Sequence, residues 1–408
     1  MRILFLSQLL PYPLDAGPRL RSYYVLRSLA KQHEVTLVAF GRGQDTPTAQ
    51  VHLAELCAAL HVVPLRRSRL RDGWAFLRSR WNGLPFLIAR DADAGMRRCL
   101  YQLAQQQTFD VVHADQLWMA PYALAFQSWA RASGRQVPRL VLDQHNAVFQ
   151  IPARMAENRG GGLRWLLQDE AKRLSAYEAD VCLRFDRVVW VTNEDFQAVQ
   201  GQMSAKQAER LASKSRVIPI CIAAPPEQVC QPEQGDGVLF VGGMHWPPNA
   251  EGMRWFAEQV WPLVRSQLQT AHCVAVGRQP PVRLTVEEGF VTPGYVTDAE
   301  PYWRAARLFV VPLLSGGGMR VKILDAWAHG VPVISTTIGA EGIEYRDGQD
   351  LWIADASQDM AEKIMRLLKD GATAGQLGRA GRRRLEERYD WQVRYQEWGA
   401  VYEDLMSD

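Results

Sequence analysis

Short apolar runs alternate with amphipathic stretches along most of the chain. The first run covers residues 1–7, an amphipathic stretch follows over 20–32, and a second apolar run covers 34–40. Continuous apolar runs are typical of strands that are buried on both faces of a parallel sheet. Strand, helix and strand in this order form a βαβ unit, so the repeated pattern predicts a doubly wound α/β fold.

A segment rich in proline and glycine divides this series into two halves. The segment follows an apolar run at 216–220, and a new α/β series begins at Val238. Because proline and glycine interrupt regular structure, we expect two Rossmann-like domains, residues 1–220 and 221–390. An amphipathic stretch rich in tryptophan and tyrosine closes the chain and predicts a helix within 391–408.

A glycine turn in the second half carries the strongest chemical signal. It lies between an apolar run and a helical pattern, and it comprises Gly316, Gly317, Gly318 and Met319. Backbone without Cβ atoms admits an anion, and the N-terminus of a helix attracts negative charge. Arg320 and Lys322 follow, where a helix normally disfavours cations. The pattern favours a site for an anion such as a diphosphate, and the alternative is a glycine turn followed by a solvated basic face.

Polar residues also follow several strands of the first half. Asp115 follows one apolar run, and His145 and Asn146 follow another. The turn after the first run contains Gly17 and Arg19. Because open α/β sheets bind ligands at the carboxyl ends of their strands, we expect these residues to lie near a ligand.

The stretch 66–81 differs from the rest, because six arginines interleave with two tryptophans, a phenylalanine and leucines. Such a stretch favours peripheral contact with an anionic membrane surface. The alternative is a solvated helix face with its aromatic residues packed inward.

Bulk composition narrows the class of protein. Lysine and arginine exceed aspartate and glutamate by only 47 − 44 = 3, which gives no argument for a nucleic-acid partner. Six cysteines lack CxxC spacing, as expected for reduced thiols without a disulfide framework or zinc site. The N-terminal apolar run is short and interrupted, so we interpret it as a strand rather than a signal peptide. No apolar run approaches the length of a membrane span.

Several motifs occur in a characteristic order. VLFVG ends at Gly242, AVG ends at Gly277, VTPGYVTD ends at Asp298, and LDAWAHGVPVI begins at Leu324. Together they resemble glycosyltransferases of the GT-B architecture, most closely the retaining enzymes of glycosyltransferase family 4. The segment PYPLDAGPRLRSYYVLRSLAKQHEVTLV, from Pro11, is similar to bacterial exopolysaccharide-type sugar transferases.

The resemblance implies two Rossmann-like domains facing a cleft, with the acceptor on the first domain and a nucleotide-diphosphate sugar on the second. It implies a C-terminal helix that packs back on the first domain, and neither a metal nor another cofactor. The donor-side residues expected from it are Gly243, Val291, Asp325 and Glu341, besides the glycine turn with its two cations. His145, Asn146 and Asp115 would contact the acceptor or the donor sugar.

The chain departs from the family pattern at the glycine turn. The family usually has two acidic residues eight positions apart; Asp325 occupies the second position, and Gly317 occupies the first. Gly243 stands where an arginine is usual. We infer that Arg320 and Lys322 replace the displaced cations at the diphosphate.

The resemblance predicts a cytoplasmic sugar transferase that is metal-independent and retains the anomeric configuration. In retaining members a phosphate oxygen is thought to take the acceptor proton, so Asp115 would orient the acceptor hydroxyl. If Asp115 acted as a base on the opposite face, the enzyme would invert instead. The acceptor could be a saccharide, a lipid-linked saccharide or a small molecule. The alternative functions are a nucleotide-sugar epimerase of the same fold and a non-catalytic nucleotide-sugar-binding protein.

Overall fold

The computed structural model describes residues 1–43, 45–157, 159–225, 230–281, 284 and 288–407. The chain forms two compact units. Unit 1 comprises Met1–Cys221 with Arg394–Asp408, and unit 2 comprises Ile222–Val393. Each unit has one parallel sheet with helices in its connections, so the predicted α/β class with two doubly wound sheets is confirmed.

Unit 1 contains a seven-stranded parallel sheet in its described part, with strand order β3-β2-β1-β4-β5-β6-β7. The strands are β1 Arg2–Ser7, β2 Glu34–Gly41, β3 Ala59–Pro64, β4 Val111–Asp115, β5 Arg139–Gln144, β6 Arg187–Trp190 and β7 Ser215–Val217. The helices are α1 Gly17–Ala30, α2 Pro47–Ala54, α3 Arg69–Asn82, α4 Phe86–Ala89, α5 Ala94–Gln106, α6 Ala120–Ala132, α7 Gln150–Glu157, α8 Gly161–Arg184, α9 Asn193–Gln200 and α10 Ala205–Ala212.

Unit 2 contains a six-stranded parallel sheet among its described residues, with strand order β10-β9-β8-β11-β12-β13. The strands are β8 Gly237–Val241, β9 Cys273–Val276, β10 Phe290–Gly294, β11 Ala306–Val311, β12 Val333–Ser335 and β13 Trp352–Ile353. The helices are α11 Pro247–Trp255, α12 Trp261–Gln267, α13 Glu300–Ala305, α14 Val321–His329, α15 Ser357–Lys369 and α16 Gly371–Arg388. After them, α17 Trp391–Arg394 lies at the boundary between the units, and α18 Glu397–Ser407 belongs to unit 1. A π-helical segment, Phe256–Val260, joins α11 to α12.

The central strands are apolar and buried on both faces, as the continuous runs predict. Each residue of β4 is buried, and so are five of the six residues of β1. A fully buried Val, Leu, Ile or Phe side chain contributes about 1.5–3 kcal/mol to folding, so these strands supply much of each core. Polar side chains at their carboxyl ends, such as Ser7 and Asp115, are therefore exceptions that need partners.

Some element boundaries differ from those expected. The C-terminal stretch was predicted as one helix, but it forms two, with a break between Arg394 and Glu397. Helix α14 begins at Val321, one residue after Arg320. Arg320 therefore lies before the helix instead of in its first turn.

The residues from Arg394 onward belong to unit 1. Tyr395, Trp398 and Tyr402 are at most 1% exposed there. Within the described residues, no helix combines the length and hydrophobicity needed to span a membrane.

Candidate functional site

The candidate site of unit 2 lies at the carboxyl ends of β8 and β11. These two strands are neighbours in the sheet. Strands β9 and β10 lie beyond β8 on one side, and β12 and β13 lie beyond β11 on the other. Open parallel sheets bind ligands at such a switch point. Gly242 and Gly243 follow β8, and the loop 312–320 follows β11. The predicted glycine turn therefore lies where the topology favours a ligand site.

Lys322 bridges the two segments of this switch point. Its Nζ donates a hydrogen bond to Oδ1 of Asn249 at 2.9 Å and lies 4.4 Å from the centroid of the Phe240 ring. A Cβ atom on Gly242 would lie 2.7 Å from the same Nζ, so the glycine leaves room for the ammonium. Burial and the charge of Arg320 together lower the pKa of Lys322 to about 7, although Asp325 opposes this. An anion at this position would restore the charged form.

Arg320 holds the glycine turn together. Its side chain is 4% exposed, and Nη1 donates a hydrogen bond to the carbonyl oxygen of Gly317 at 2.6 Å. Nη2 lies 3.5 Å from a carboxylate oxygen of Glu341, and the guanidinium lies 5.7 Å from the centroid of the Trp246 ring. Arg320 therefore shares its charge with Glu341 and shapes the turn, whereas Lys322 is the cation beside β8.

The turn itself needs glycine at two positions. Gly316 has a φ of 106° and Gly318 a φ of 80°, in the left-handed region that disfavours other residues. A Cβ atom on Gly316 would also lie 3.2 Å from Nη2 of Arg320 and from the Trp246 ring. The turn thus brings bare backbone to the start of α14.

Other predicted donor-side residues lie around the same sheet. Asp325 lies about one turn along α14 from Lys322; burial raises its pKa to about 6, although His329 and Lys322 oppose this. Gly243 packs against the His245 ring: a Cβ atom on Gly243 would lie 2.4 Å from Cε1 of His245. Val291 lies on β10 and is 51% exposed. Met319 is half-buried in the turn before α14.

The candidate site of unit 1 lies at the equivalent switch point, between β1 and β4. Asp115 ends β4 and is fully buried. One of its oxygens accepts hydrogen bonds from the hydroxyls of Ser7 and Ser22, both at 2.8 Å. The other lies 2.8 Å from Nε2 of His145. The structure therefore brings together Asp115 and His145, which lie 30 residues apart in the chain.

A buried ion pair between Arg21 and Asp143 lies beside this cluster. Arg21 and Asp143 are both fully buried, and two guanidinium nitrogens donate to the two carboxylate oxygens at 3.0 and 2.8 Å. Arg21 also donates to the carbonyl oxygens of Ile218 and Pro219 and to the hydroxyl of Tyr395. Burial alone would raise the pKa of Asp143, but the adjacent guanidinium of Arg21 holds this pKa well below its usual range.

His145 is poised as a donor of hydrogen bonds. Burial lowers its pKa, but Asp115 and Asp143 outweigh burial and raise it to about 9. The imidazole is therefore a cation at neutral pH, and both ring nitrogens carry a proton. Its Nδ1 is buried without a hydrogen-bond partner among the described residues. A buried donor in this position fits an oxygen atom of a bound ligand.

Three side chains of this cluster have the spacing of metal ligands. Among the described residues, His113, Asp115 and Asp143 bring ligand atoms within 4.8 Å of one another. Both oxygens of Asp143 are taken by Arg21, however, and both oxygens of Asp115 accept bonds from serine or lie beside His145. This donor set is balanced by protein cations and fits a charge-paired network better than a metal ion.

The remaining predicted residues of unit 1 lie near the start of α1 and after β5. Gly17 opens α1, and Arg19 is paired with Asp15 at 2.8 Å and with Asp45 at 3.2 Å. Asn146 is half-buried in the loop after β5. No ligand-directed contact distinguishes these three residues in the described part of the chain.

Sequence reasoning missed the partners of the predicted residues. Asn249 joins Lys322 to the carbonyl oxygen of Gly243, and Arg21 and Asp143 underlie His145. A signal was present for Arg21, because it interrupts the apolar face of α1. Asp143 likewise ends an otherwise apolar strand.

Comparisons with known proteins agree with this arrangement. Residues 235–370 match the model of a family described as glycosyl transferases group 1. The match covers most of unit 2, including the glycine turn and Lys322.

Two curated relatives are similar over part of the chain. Phosphatidyl-myo-inositol mannosyltransferase of Mycobacterium leprae is 26% identical over 215 residues, which are 50% of this chain and 56% of that protein. An uncharacterized 44.6 kDa protein in the cps region of Klebsiella pneumoniae is 26% identical over 144 residues, which are 33% of this chain and 37% of that protein. The matched segments thus span from about a third to little more than half of these relatives.

Solved structures are similar over nearly the whole chain. Anabaena Alr3699/HepE in complex with UDP and glucose aligns with a TM-score of 0.65 and 13% identity, covering 99% of this chain and all of that chain. An α,α-trehalose-phosphate synthase (UDP-forming) from Burkholderia vietnamiensis aligns with a TM-score of 0.61 and 14% identity over both entire chains. The solved structures confirm the predicted GT-B fold, and residues 235–370 are similar to glycosyl transferases group 1.

Proposed function

We propose that this protein transfers a sugar from a nucleotide-diphosphate donor to a hydroxyl group of a saccharide or lipid-linked saccharide. One observation carries the proposal: Lys322 stands between two glycine segments at the switch point of unit 2, within the part that matches glycosyl transferases group 1. The relatives include a capsular polysaccharide biosynthesis glycosyltransferase, CapM of Staphylococcus aureus, which supports a role in polysaccharide biosynthesis. Such a role would place the enzyme in the cytoplasm, with peripheral contact to the membrane through residues 66–81.

Unit 2 would bind the donor through its diphosphate. Negative charge grows on the leaving diphosphate during glycosyl transfer, and preorganised positive charge stabilises it. Lys322 and the backbone N–H groups at the start of α14 supply that charge, and Arg320 fixes the turn that presents them. Asp325 would accept hydrogen bonds from the ribose.

Unit 1 would bind the acceptor through His145. Its cationic ring has one N–H on Asp115 and a second that can donate to a sugar oxygen. Asp115 is fully buried and both of its oxygens already have partners, so it is poorly placed to remove a proton. This supports a retaining reaction, in which a phosphate oxygen of the donor takes the acceptor proton.

Protein cations also favour a reaction without a metal ion. Lys322 can offset part of the diphosphate charge, and the acids of unit 1 are already paired with Arg21 and His145. We expect chelation of divalent ions to leave kcat/KM unchanged.

A panel of nucleotide sugars tests the proposal. UDP-, GDP- and dTDP-sugars would each be incubated with the protein, with and without oligosaccharide acceptors, and the products analysed by mass spectrometry. We expect sugar transfer, or slow hydrolysis when no acceptor is present. An isomerised free donor would instead establish an epimerase, and absence of both reactions and of nucleotide binding would reject the proposal.

Substitutions connect the reaction to the described site. Lys322→Ala should lower kcat/KM, because an ammonium is lost at the leaving group. The corresponding loss of transition-state stabilisation should be about 2–4 kcal/mol. Arg320→Ala should cause a loss in the same range by releasing the turn. Lys369→Ala, on the exposed end of α15, is the matched control and should leave kcat/KM unchanged. Unchanged kcat/KM in both test variants would contradict the assigned site.

A further inference from the structure

Helix α3 of unit 1 turns an apolar stripe outward. Leu70, Trp74, Leu77 and Trp81 are 81%, 73%, 61% and 94% exposed. Their spacings of 4, 3 and 4 residues place them on one side of the helix. The expected alternative, in which the aromatic residues pack inward, is therefore wrong for both tryptophans.

The beginning of α8 extends this apolar surface. Arg80 lies between two aromatic rings, 5.6 Å from the centroid of Phe76 and 5.9 Å from that of Trp165, and it pairs with Asp169. Trp165 thus stands beside the end of α3, and it is 64% exposed. Leu163, in the same turn region of α8, is 50% exposed. Large apolar side chains that cluster on a surface mark an interaction site.

Arginines flank the stripe. Arg66, Arg69, Arg78 and Arg164 are exposed, and none of them makes an ion pair with another described residue. Within α3 itself the sequence holds a single acid, Asp72, which helical spacing places on the side away from the tryptophans. The apolar stripe is therefore edged by positive charge.

This combination selects among possible occupants. A second copy of the chain related by two-fold symmetry would set the same arginines against each other, which costs free energy. An anionic bilayer matches both features, because tryptophan and leucine enter the headgroup region while arginine pairs with lipid phosphate. We propose that α3 and the beginning of α8 form a docking surface for a bilayer containing anionic phospholipid, with Trp74, Trp81 and Trp165 inserted at its interface.

Docking would hold unit 1 at the membrane surface. If the proposed function is right, a lipid-linked acceptor then meets the enzyme in two dimensions rather than by diffusion through the solution. Lipid binding itself does not depend on sugar transfer, so its outcome is separate from that of the nucleotide-sugar panel.

Flotation with vesicles tests the docking surface. The full-length protein is mixed with phosphatidylcholine vesicles that contain about one third phosphatidylglycerol, or none, and is floated through a density gradient. We expect flotation with the anionic vesicles only, and a decline at high salt because the electrostatic attraction is screened. No flotation with anionic vesicles at low salt would overturn the proposal.

Two variants separate the apolar and the electrostatic contributions. Trp74→Ser with Trp81→Ser should weaken vesicle binding at least ~10-fold by removing the inserted rings. Arg66→Gln, Arg69→Gln and Arg78→Gln together should weaken it on the order of 100-fold, since each arginine near an anionic surface contributes about fivefold. Binding equal to wild type in both variants would overturn the proposal.

Matched controls lie on other helices of unit 1. Val51 on α2 is 61% exposed and Arg98 on α5 is exposed, so Val51→Ser with Arg98→Gln alters the same kinds of residue outside the surface. This control should bind vesicles as wild type does. All variants should keep the wild-type circular dichroism, because the altered side chains are exposed. A wild-type dimer that dissociates in the tryptophan variant, seen by sedimentation velocity, would assign the surface to a second copy and overturn the proposal.

Discussion

At the scale of single residues, the lowered pKa of Lys322 ties donor binding to pH. The side-chain amine of Lys322 is half-protonated near pH 7 in the free protein, because burial and the charge of Arg320 disfavour its charged form. A bound diphosphate would favour the charge and raise this pKa. Binding therefore takes up a proton above pH 7, and affinity should fall by up to about tenfold per pH unit as pH rises from 7 towards the pKa of the complex.

Calorimetric titration with UDP-glucose measures this linkage, because the diphosphate of a nucleotide sugar does not titrate in that range. Proton uptake is read from the binding enthalpy in two buffers with different ionisation enthalpies. Lys322→Arg keeps a permanent charge and should bind with little dependence on pH. An affinity that is constant from pH 7 to 9 in the wild type, or an equal slope in the arginine variant, would disprove the assignment.

At the scale of elements, buried carboxylates on neighbouring helices fix the loop that carries His145. Glu178 of α8 is fully buried and accepts hydrogen bonds from Gln144 and from the backbone N–H groups of Val148 and Phe149. Asp195 of α9 accepts from the N–H of Ala147 at 2.7 Å. The two helices thus hold three successive backbone donors directly after the site.

Removing Glu178 should therefore destabilise unit 1. Glu178→Ala leaves three buried donors without their acceptor, and we expect a loss of about 3–5 kcal/mol in the free energy of unfolding. Glu178→Gln should cost less, since burial raises the pKa of Glu178 to about 8 and already favours an uncharged side chain. Urea unfolding measures both. Asp180→Ala, at an exposed position of the same helix, should change stability by no more than about 0.5 kcal/mol; a similar change in Glu178→Ala would show that the loop does not rely on Glu178.

Elements were predictable where a local pattern specifies them, and contacts were not. The apolar runs and the glycine turn lie in contiguous sequence, so the strands and the approximate start of α14 followed from it. Lys322 meets Asn249 across 73 residues, and Arg21 meets Asp143 across 122, which no local pattern reveals. Helical spacing likewise places the tryptophans of α3 on one side, but it does not reveal that Trp81 is 94% exposed.

At the scale of the whole molecule, the end of the chain completes the beginning. The hydroxyl of Tyr402 lies 2.6 Å from Nδ1 of His113, and Arg21 lies 5.5 Å and 5.2 Å from the ring centroids of Tyr395 and Trp398. The buried cluster next to Asp115 and His145 therefore depends on Tyr395, Trp398 and Tyr402, which lie far from it in the sequence.

A chain truncated after Val393 should consequently fail to fold unit 1. It lacks Tyr395, Trp398 and Tyr402, and each buried aromatic side chain removed costs about 3–5 kcal/mol, so the total is comparable with the whole stability of a domain. Unit 2 has its own core and should keep its unfolding transition. UDP-glucose should raise the temperature of this transition, because it binds the folded state. Trp398→Ala should lower the transition of unit 1 without abolishing it, whereas Glu397→Ala, at an exposed position of α18, should not change it. Scanning calorimetry resolves the two transitions, and a truncated chain that still shows both would mean that the C-terminal helix is dispensable for unit 1.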